Sequence, residues 1–529
     1  MSAKVRANMF VLLGAAAVTS ALAVAPGATP VAGRAAARAQ EPVHWEVVDA
    51  IMQEAFEHSE LMENASWLTD VFGPRNAKSP SYIAAAEWAR DRLIQYGLPS
   101  AHLEPYEFGS GYVNEFISVH MMAPQYMPII SFPATWSAGT DGRVVGNAVY
   151  LDFGSIESEA DLEPYRGQLH NTIVLTHPVQ KLPIRFAPRS TILSAAQLDA
   201  MARIPIIPPP EGRNQRRDSD RLSRQRIIDF VVGEGALAIV RTDGRGDYGT
   251  VTVSNTGYTL QTRPWEPDAP PPHTELFMAA EHYNRILRIL EKGLPVELEL
   301  DVRVRFTDED TLDYNVVAEI PGTDLADELV LLGGHLQANP AGTGATDDAA
   351  GVVVSMEVMR IFQKLGIRPR RTVRVGLWGG HEMGVLGNRA HVATNFADVS
   401  TRQYKADYDN LSAYFNVDHG GGRIRGVSIM GNEVIRSIFS EWMKPLGGLG
   451  MSHLFTTGMQ HEAYEEVGLP GYYFVQDDLD GEAHNHSNMD VYDRLVEEHL
   501  MANTVILATF VYHAAMRDEK LPRVAPRPW

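Results

Sequence analysis

Apolar positions change spacing three times along the chain. From residue 44 to 110 they recur at helical intervals, most clearly over Ser81 to Tyr96 with Ala84-Ala85-Ala86-Glu87-Trp88-Ala89. Leu68-Thr69-Asp70 and Gly73-Pro74-Arg75 read as a turn between helices, and Trp67 and Trp88 as core residues. From about Tyr126 the texture shortens. Val144 to Asp152, Thr172 to His177, Ala236 to Thr242 and Gly249 to Ser254 predict strands, and Thr274 to Lys292 a helix. Pro205 to Pro210 and Pro264 to Pro272 read as loops or linkers. Alternation returns at Val296 to Phe306, the pattern of a half-exposed strand. Beyond it, Leu329 to Leu332 is a continuous apolar run, which suits a strand buried on both faces of a parallel sheet. Thr372 to Trp378, Ser412 to Val417 and Gly471 to Val475 predict further strands. Asp347 and Asp348 precede the helical run Val352 to Phe362, whose start they would cap and whose dipole they would complement.

These textures predict an α/β fold: a mixed, mostly parallel sheet flanked by helices, interrupted by a β-rich insert. The expected divisions are 1–39, 40–124, 125–295 for the insert and 296–529. A chain of 529 residues exceeds what one hydrophobic core normally supports. Its 45% apolar and 21% charged residues are those of an ordinary globular protein. The formal charge of -20 argues against nucleic acid or anionic membrane as the main partner. With no cysteine, thiolate metal ligands, thiol catalysis and disulfides are excluded.

Residues 1–39 read as an export signal: Lys4 and Arg6 precede the apolar, alanine-rich run Met9 to Val24. Ala21-Leu22-Ala23 and Ala37-Arg38-Ala39 are both cleavage candidates. The run is short for a membrane span, so export to the periplasm or the exterior is expected, with no stable membrane insertion after cleavage. Arg213 to Arg226 carries a dense set of arginines with Asp218 and Asp220 among them, and reads as a solvated face rather than an anion-binding patch.

Candidate chemistry sits where the later strands run out. His335 ends the first, and Asp347 follows before the helix. Gly379-Gly380-His381-Glu382 ends the second, Asp418 the third, and the polar loop His484 to Asp490 follows the fourth. Open α/β sheets bind ligands at that edge, and a zinc site needs this mix of imidazole and carboxylate. One such residue alone is usually hydrogen-bonded scaffolding; five at successive strand ends are harder to dismiss. Three rival motifs fail. Val385 stands where a His-Glu-x-x-His zinc helix needs its second histidine, Gly342-Thr343-Gly344 lacks the third glycine of a dinucleotide loop, and no Gly-x-Ser-x-Gly elbow occurs.

The chain resembles secreted co-catalytic zinc exopeptidases, the group of leucyl aminopeptidases, glutamate carboxypeptidase and carboxypeptidase Q-like enzymes with an inserted protease-associated domain. The resemblance is carried by Leu68-Thr69-Asp70 with Gly73-Pro74-Arg75, Ala86-Glu87-Trp88-Ala89, Asn315 to Gly322 and His486 to Asp493. It implies two Zn²⁺ ions per chain: His335 and Asp418 on one, Glu382 and His486 on the other, and Asp347 bridging both. It also makes 296–529, with 40–124, the catalytic domain and 125–295 the protease-associated insert, expected to restrict access without supplying a ligand. Three positions depart from the family pattern. Gln337 replaces an aspartate that orients the metal histidine, Gln460 stands before His461 where close relatives have aspartate, and His381 replaces the glutamate that acts as general base. His381 admits three readings: a substitute base, an extra metal ligand, or the mark of a site that binds metal and peptide with little turnover. The implied activity is hydrolysis of terminal peptide bonds, of aminopeptidase, carboxypeptidase or dipeptidase type. A metal-bound peptide-binding protein is the alternative, and a homodimer is left open.

Overall fold

The computed structural model describes residues 41–205, 222–256, 263–339, 341–418, 420–457, 462–479 and 484–524. The expected export signal, most of the arginine-rich run, most of Pro205–Pro210, and Gln460 and His461 lie outside the described residues.

The fold is mixed α/β, built on two eight-stranded sheets. The first runs in the order His102–Glu107, Leu312–Ile320, Arg371–Trp378, Leu325–His335, Leu411–Asn416, Gly471–Gln476, Ile424–Ser428 and His453–Phe455. Its four central strands, Arg371–Trp378 to Gly471–Gln476, are parallel, and antiparallel strands flank them. Val330 and Leu332 face a core built with the helices Trp45–Glu57, Ala350–Lys364 and Glu497–Met516, while Leu329 and Leu331 face Trp378, Val392 and Tyr464 on the other side. Burial on both faces is why these strands carry no polar alternation. Among the described residues only Glu497–Met516 is long and apolar enough to cross a membrane, and it is a core helix, 83% buried.

The second sheet runs in the order Met127–Pro128, Gly111–Ala123, Glu297–Thr307, Arg143–Tyr150, Thr172–Leu175, Ala238–Arg241, Glu275–Met278 and Ser131–Pro133. It gathers strands from 111 to 307, a wider span than 125–295.

Several local expectations are corrected. Leu68-Thr69-Asp70 lies inside the helical turn Trp67–Val71, and the connecting turn comes after it. The helical region stops at Gln95, and His102–Glu107 is a strand. Trp67, 38% exposed, stacks on Trp88 with ring centroids 6.1 Å apart, so the pair caps the core edge instead of filling the core. Thr274 to Lys292 is a strand, Glu275–Met278, followed by a helix, Ala280–Leu290. Leu276 and Met278 pack on one side of that strand and Phe277 on the other, and this two-sided burial overrides helix propensity. Gly249 to Ser254 forms no strand; Thr252 makes a single bridge to Ser487.

Candidate metal centre

The parallel strands aim their carboxyl ends at one cleft. His335 closes its strand, and its backbone N–H donates to Asp348 Oδ2 at 3.0 Å. Its Nδ1 lies 2.5 Å from the Gln337 carbonyl oxygen, which leaves Nε2 facing the cleft. The expectation for Gln337 is corrected here. Its backbone, not its side chain, meets the imidazole, and its Oε1 accepts from the Glu382 N–H at 2.8 Å. Gln337 Nε2 is buried without a partner.

The Asp347-Asp348 pair divides its work. Asp348 Oδ1 accepts from the Gly351 N–H at 2.8 Å and so caps the following helix. Asp347 does not cap but turns into the cleft. Asp490 holds it there, accepting from the Thr346 N–H at 2.7 Å, the Thr346 hydroxyl at 2.8 Å and the Asp347 N–H at 3.2 Å. Beneath the loop, the buried Arg75 donates to the carbonyls of Leu68, Leu336, Thr343 and Gly344. Burial lowers this guanidinium to about 10, against the opposing pull of Asp490 and Asp348.

Gly379 shows why the next turn is glycine-rich. A Cβ there would lie 2.6 Å from the hydroxyls of both Tyr82 and Tyr106, so only glycine lets the turn approach them and deliver His381 and Glu382. Asp418 follows Leu411–Asn416 by two residues, and its carbonyl accepts from the Tyr473 hydroxyl at 2.7 Å. The His486 carbonyl accepts from the Val253 N–H at 3.0 Å, which ties this loop to the second sheet's side of the molecule.

All five expected ligands converge. His335 Nε2 lies 3.0 Å from Asp347 Oδ1, 3.4 Å from Asp418 Oδ1 and 3.9 Å from Glu382 Oε1. His486 Nε2 lies 2.9 Å from Asp347 Oδ2 and 3.1 Å from Glu382 Oε1. Asp347 therefore presents one oxygen to each imidazole. His381 stacks on His335 in parallel, with ring centroids 4.2 Å apart and planes 3° apart, and its Nε2 lies 3.5 Å from Asp418 Oδ2. Two overlapping groups have ligand atoms within 4.8 Å of one another, His335-His381-Asp418 and His335-Asp347-Glu382.

The electrostatics match a cation site. Burial alone would lower His335, but Asp418 and Asp347 outweigh it and hold the imidazole well above its usual value. Burial likewise opposes His486, yet Asp347 and Glu382 raise it to about 10. Burial pushes Asp418 upward, and the His335 charge and hydrogen bond reverse this to about 2. Burial and the His335 charge push His381 down. Three carboxylates crowded around imidazoles call for positive charge, and the donors are those zinc takes. The residues present fit the metal.

Asp348, Asp490 and Arg75 support the site without being among its five expected ligands. Asp348 carries a local signal as a helix-capping aspartate, and Asp490 as part of the polar loop His484 to Asp490. Arg75 acts on backbone groups distant in sequence, and Asp348 on both the nearby Gly351 N–H and the more distant His335 N–H.

Fold and donor set together define an α/β protein with a candidate metal centre at the carboxyl edge of its sheet. Residues 315–511 match the model of peptidase family M28. Carboxypeptidase Q of Mus musculus is 28% identical over 248 residues, which is 46% of this chain and 51% of the mouse protein. Leupeptin-inactivating enzyme 1 of Streptomyces exfoliatus is 26% identical over 170 residues, 31% of this chain and 36% of that protein. The chain spans about half the length of the carboxypeptidase Q relatives it matches. In fold, a peptidase M28 precursor from Shewanella amazonensis superposes with a TM-score of 0.65 at 22% identity, covering 91% of this chain and 99% of the other. An aminopeptidase from Aneurinibacillus sp. strain AM-1 gives 0.53 at 17% identity, covering 91% and 98%.

Proposed function

We propose that this chain is an exported zinc exopeptidase that hydrolyses terminal peptide bonds. One observation carries the reading: the two oxygens of Asp347 face the imidazoles of His335 and His486, with Asp418 and Glu382 completing a donor set on either side. His335 and Asp418 would hold one ion, Glu382 and His486 the other, and Asp347 both. When bound, such ions polarise a scissile carbonyl and lower the pKa of a water. The protein's own groups set the geometry. Asp490 fixes the Asp347 loop, Asp348 anchors the end of the His335 strand, and Gln337 orients the Glu382 backbone. The names of the M28 relatives support a peptidase, and the leader-like residues 1–39 support export. The role proposed for residues 125–295, that of a protease-associated insert limiting access, is supported by the five donors all lying outside it.

A second reading rests on His381. Its Nε2 faces Asp418 inside the His335-His381-Asp418 group, the placement of an additional ligand rather than of a free base. In that case the site holds metal and peptide but turns over slowly. The test is a screen of the purified mature protein against free and end-blocked peptides, with and without added Zn²⁺. Zinc-dependent release of terminal residues supports the exopeptidase. Peptide binding without release supports the second reading.

A further inference from the structure

A cavity of about 420 Å³ opens beside Glu382 and His486. Gly384 continues its wall on that side. The facing wall comes from Arg224 at the start of the helix Arg224–Gly233, Arg241 at the end of the strand Ala238–Arg241, and Asn255. The two walls are joined where Val253 donates to the His486 carbonyl and Thr252 bridges Ser487.

Among the described residues the charge of the two arginines is only partly answered. Glu275 Oε1 lies 3.0 Å from Arg241 Nη1 and 3.7 Å from Arg224 Nη2, so one carboxylate serves two guanidinium groups. Its other oxygen is engaged by the Thr256 hydroxyl at 2.5 Å and lies 3.2 Å from His273 Nε2. Arg241 Nε is buried without a partner, while the Arg224 side chain is 46% exposed. Burial and the Arg241 charge both push the Arg224 guanidinium down, which is the state an added anion relieves. Glu382, already a ligand of the centre, is the one acidic residue among the described residues lining the cavity. Among the described residues no lining carboxylate is left over to hold an N-terminal ammonium. A guanidinium presents the planar, forked donors that match a carboxylate.

We propose that Arg224 and Arg241 form a carboxylate-binding subsite in this cavity, so that the enzyme acts on short peptides placing a free carboxylate there. This rests on the exopeptidase reading and deepens it toward a carboxypeptidase or dipeptidase. The volume lies near the lower end of small-ligand sites, which favours a short group beyond the scissile bond. The carboxylate has two sources, a peptide C-terminus or an acidic side chain.

The test uses zinc-loaded full-chain protein and four probes: Ala-Ala-Ala, its C-terminal amide, N-acetyl-Ala-Ala-Ala and Ala-Ala-Glu amide. The free acids should be cleaved about 30-fold or more better than the alanine amide, as expected for a charge-assisted contact. Arg224→Gln and Arg241→Gln should each raise KM for the free acids roughly 10- to 100-fold and leave the alanine amide nearly unchanged. Recovery of cleavage with Ala-Ala-Glu amide assigns the subsite to acidic side chains, and no recovery assigns it to the C-terminus. Calorimetric titration with N-acetylalanine and its amide provides a readout independent of turnover; the acid should bind more tightly in the parent and lose that advantage in both variants. Arg224→Gln, at a partly exposed position, covers the case in which Arg241→Gln fails to fold. Equal use of acid and amide, with both variants affecting them alike, overturns the subsite while the peptidase reading stands. If no probe is cleaved, the peptidase reading fails, and the titration still decides the subsite.

Discussion

The two sheets of this molecule use their edges for different work. The first sheet brings four parallel strands to one cleft, and each strand end contributes one of the five expected ligands or the loop that carries one. The second sheet supplies none of the five expected ligands. On its side of the cleft stand Arg224 and Arg241, and the segment 251–253, between its strands Ala238–Arg241 and Glu275–Met278, bonds to His486, Ser487 and Asn488 of the facing loop. The support beneath them differs as well. The expected ligands at the first sheet are held by buried polar groups such as Asp348, Asp490 and Arg75, whereas Arg224 and Arg241 share one buried glutamate, Glu275, among the described residues. Donor geometry on the first side is over-determined by hydrogen bonds, whereas on the second side Arg241 Nε is buried without a partner among the described residues. That division is what a site with fixed chemistry and adjustable substrate preference requires.

Substitutions can break this comparison. The largest effect is expected for Asp347→Ala, which removes the group shared by both halves of the donor set. Peptidase kcat/KM should fall by about 10⁴-fold or more, beyond the loss typical of a single acid-base group. Progress curves with a cleaved tripeptide measure this, and retention of more than a tenth of the activity would remove Asp347 from the centre. Next is His381→Glu. If His381 has displaced the base, glutamate should raise kcat about 100-fold, within the usual range for general-base catalysis. No gain in a variant with unchanged metal content would argue that His381 itself supports turnover.

Stability tests sharpen the contrast at smaller scale. Asp313 is buried behind the Gly379 turn and accepts from the Tyr106 hydroxyl at 2.7 Å, and burial raises it from 3.8 to about 7. A folded-state value above the unfolded one makes its contribution full below pH 4 and lost as pH rises through 7. Asp313→Asn should flatten that decline and leave the variant more stable than the parent at pH 8 by about 2 kcal/mol. Denaturant melts across pH read the effect, and an unchanged slope contradicts it. The smallest effect belongs to Asn488, whose Oδ1 accepts from the Val251 N–H at 2.7 Å across the cleft. Asn488→Ala should cost about 1 kcal/mol and raise KM a few-fold with kcat little changed. An equal fall in kcat would mean that the contact positions reacting groups.

Much of the first sheet was legible because burial on both faces leaves a direct mark, a short apolar run that ends in a ligand. Leu329 to Leu332 followed by His335 is the clearest case. The hydrogen-bond support was not legible, because Arg75 and Asp490 act on backbone atoms brought near only by folding. Gln337 shows the same limit: the residue can be picked out, but which of its atoms meets His335 depends on backbone direction. On the second sheet, local propensity misplaced Glu275–Met278, whose strand state comes from neighbours on either side. Arg224 sat inside a run that reads as solvated surface. Its neighbour Arg226 does pair at the exposed surface with Glu159, and nothing local distinguishes the two.

The most direct test of the central claim is elemental analysis of the purified protein after equilibration with Zn²⁺ and removal of excess, beside Asp347→Ala. Up to two zinc ions per chain are expected in the parent, with loss from both positions in the variant. Parent protein with no stoichiometric zinc, or a variant that retains the parent's full complement, would contradict it.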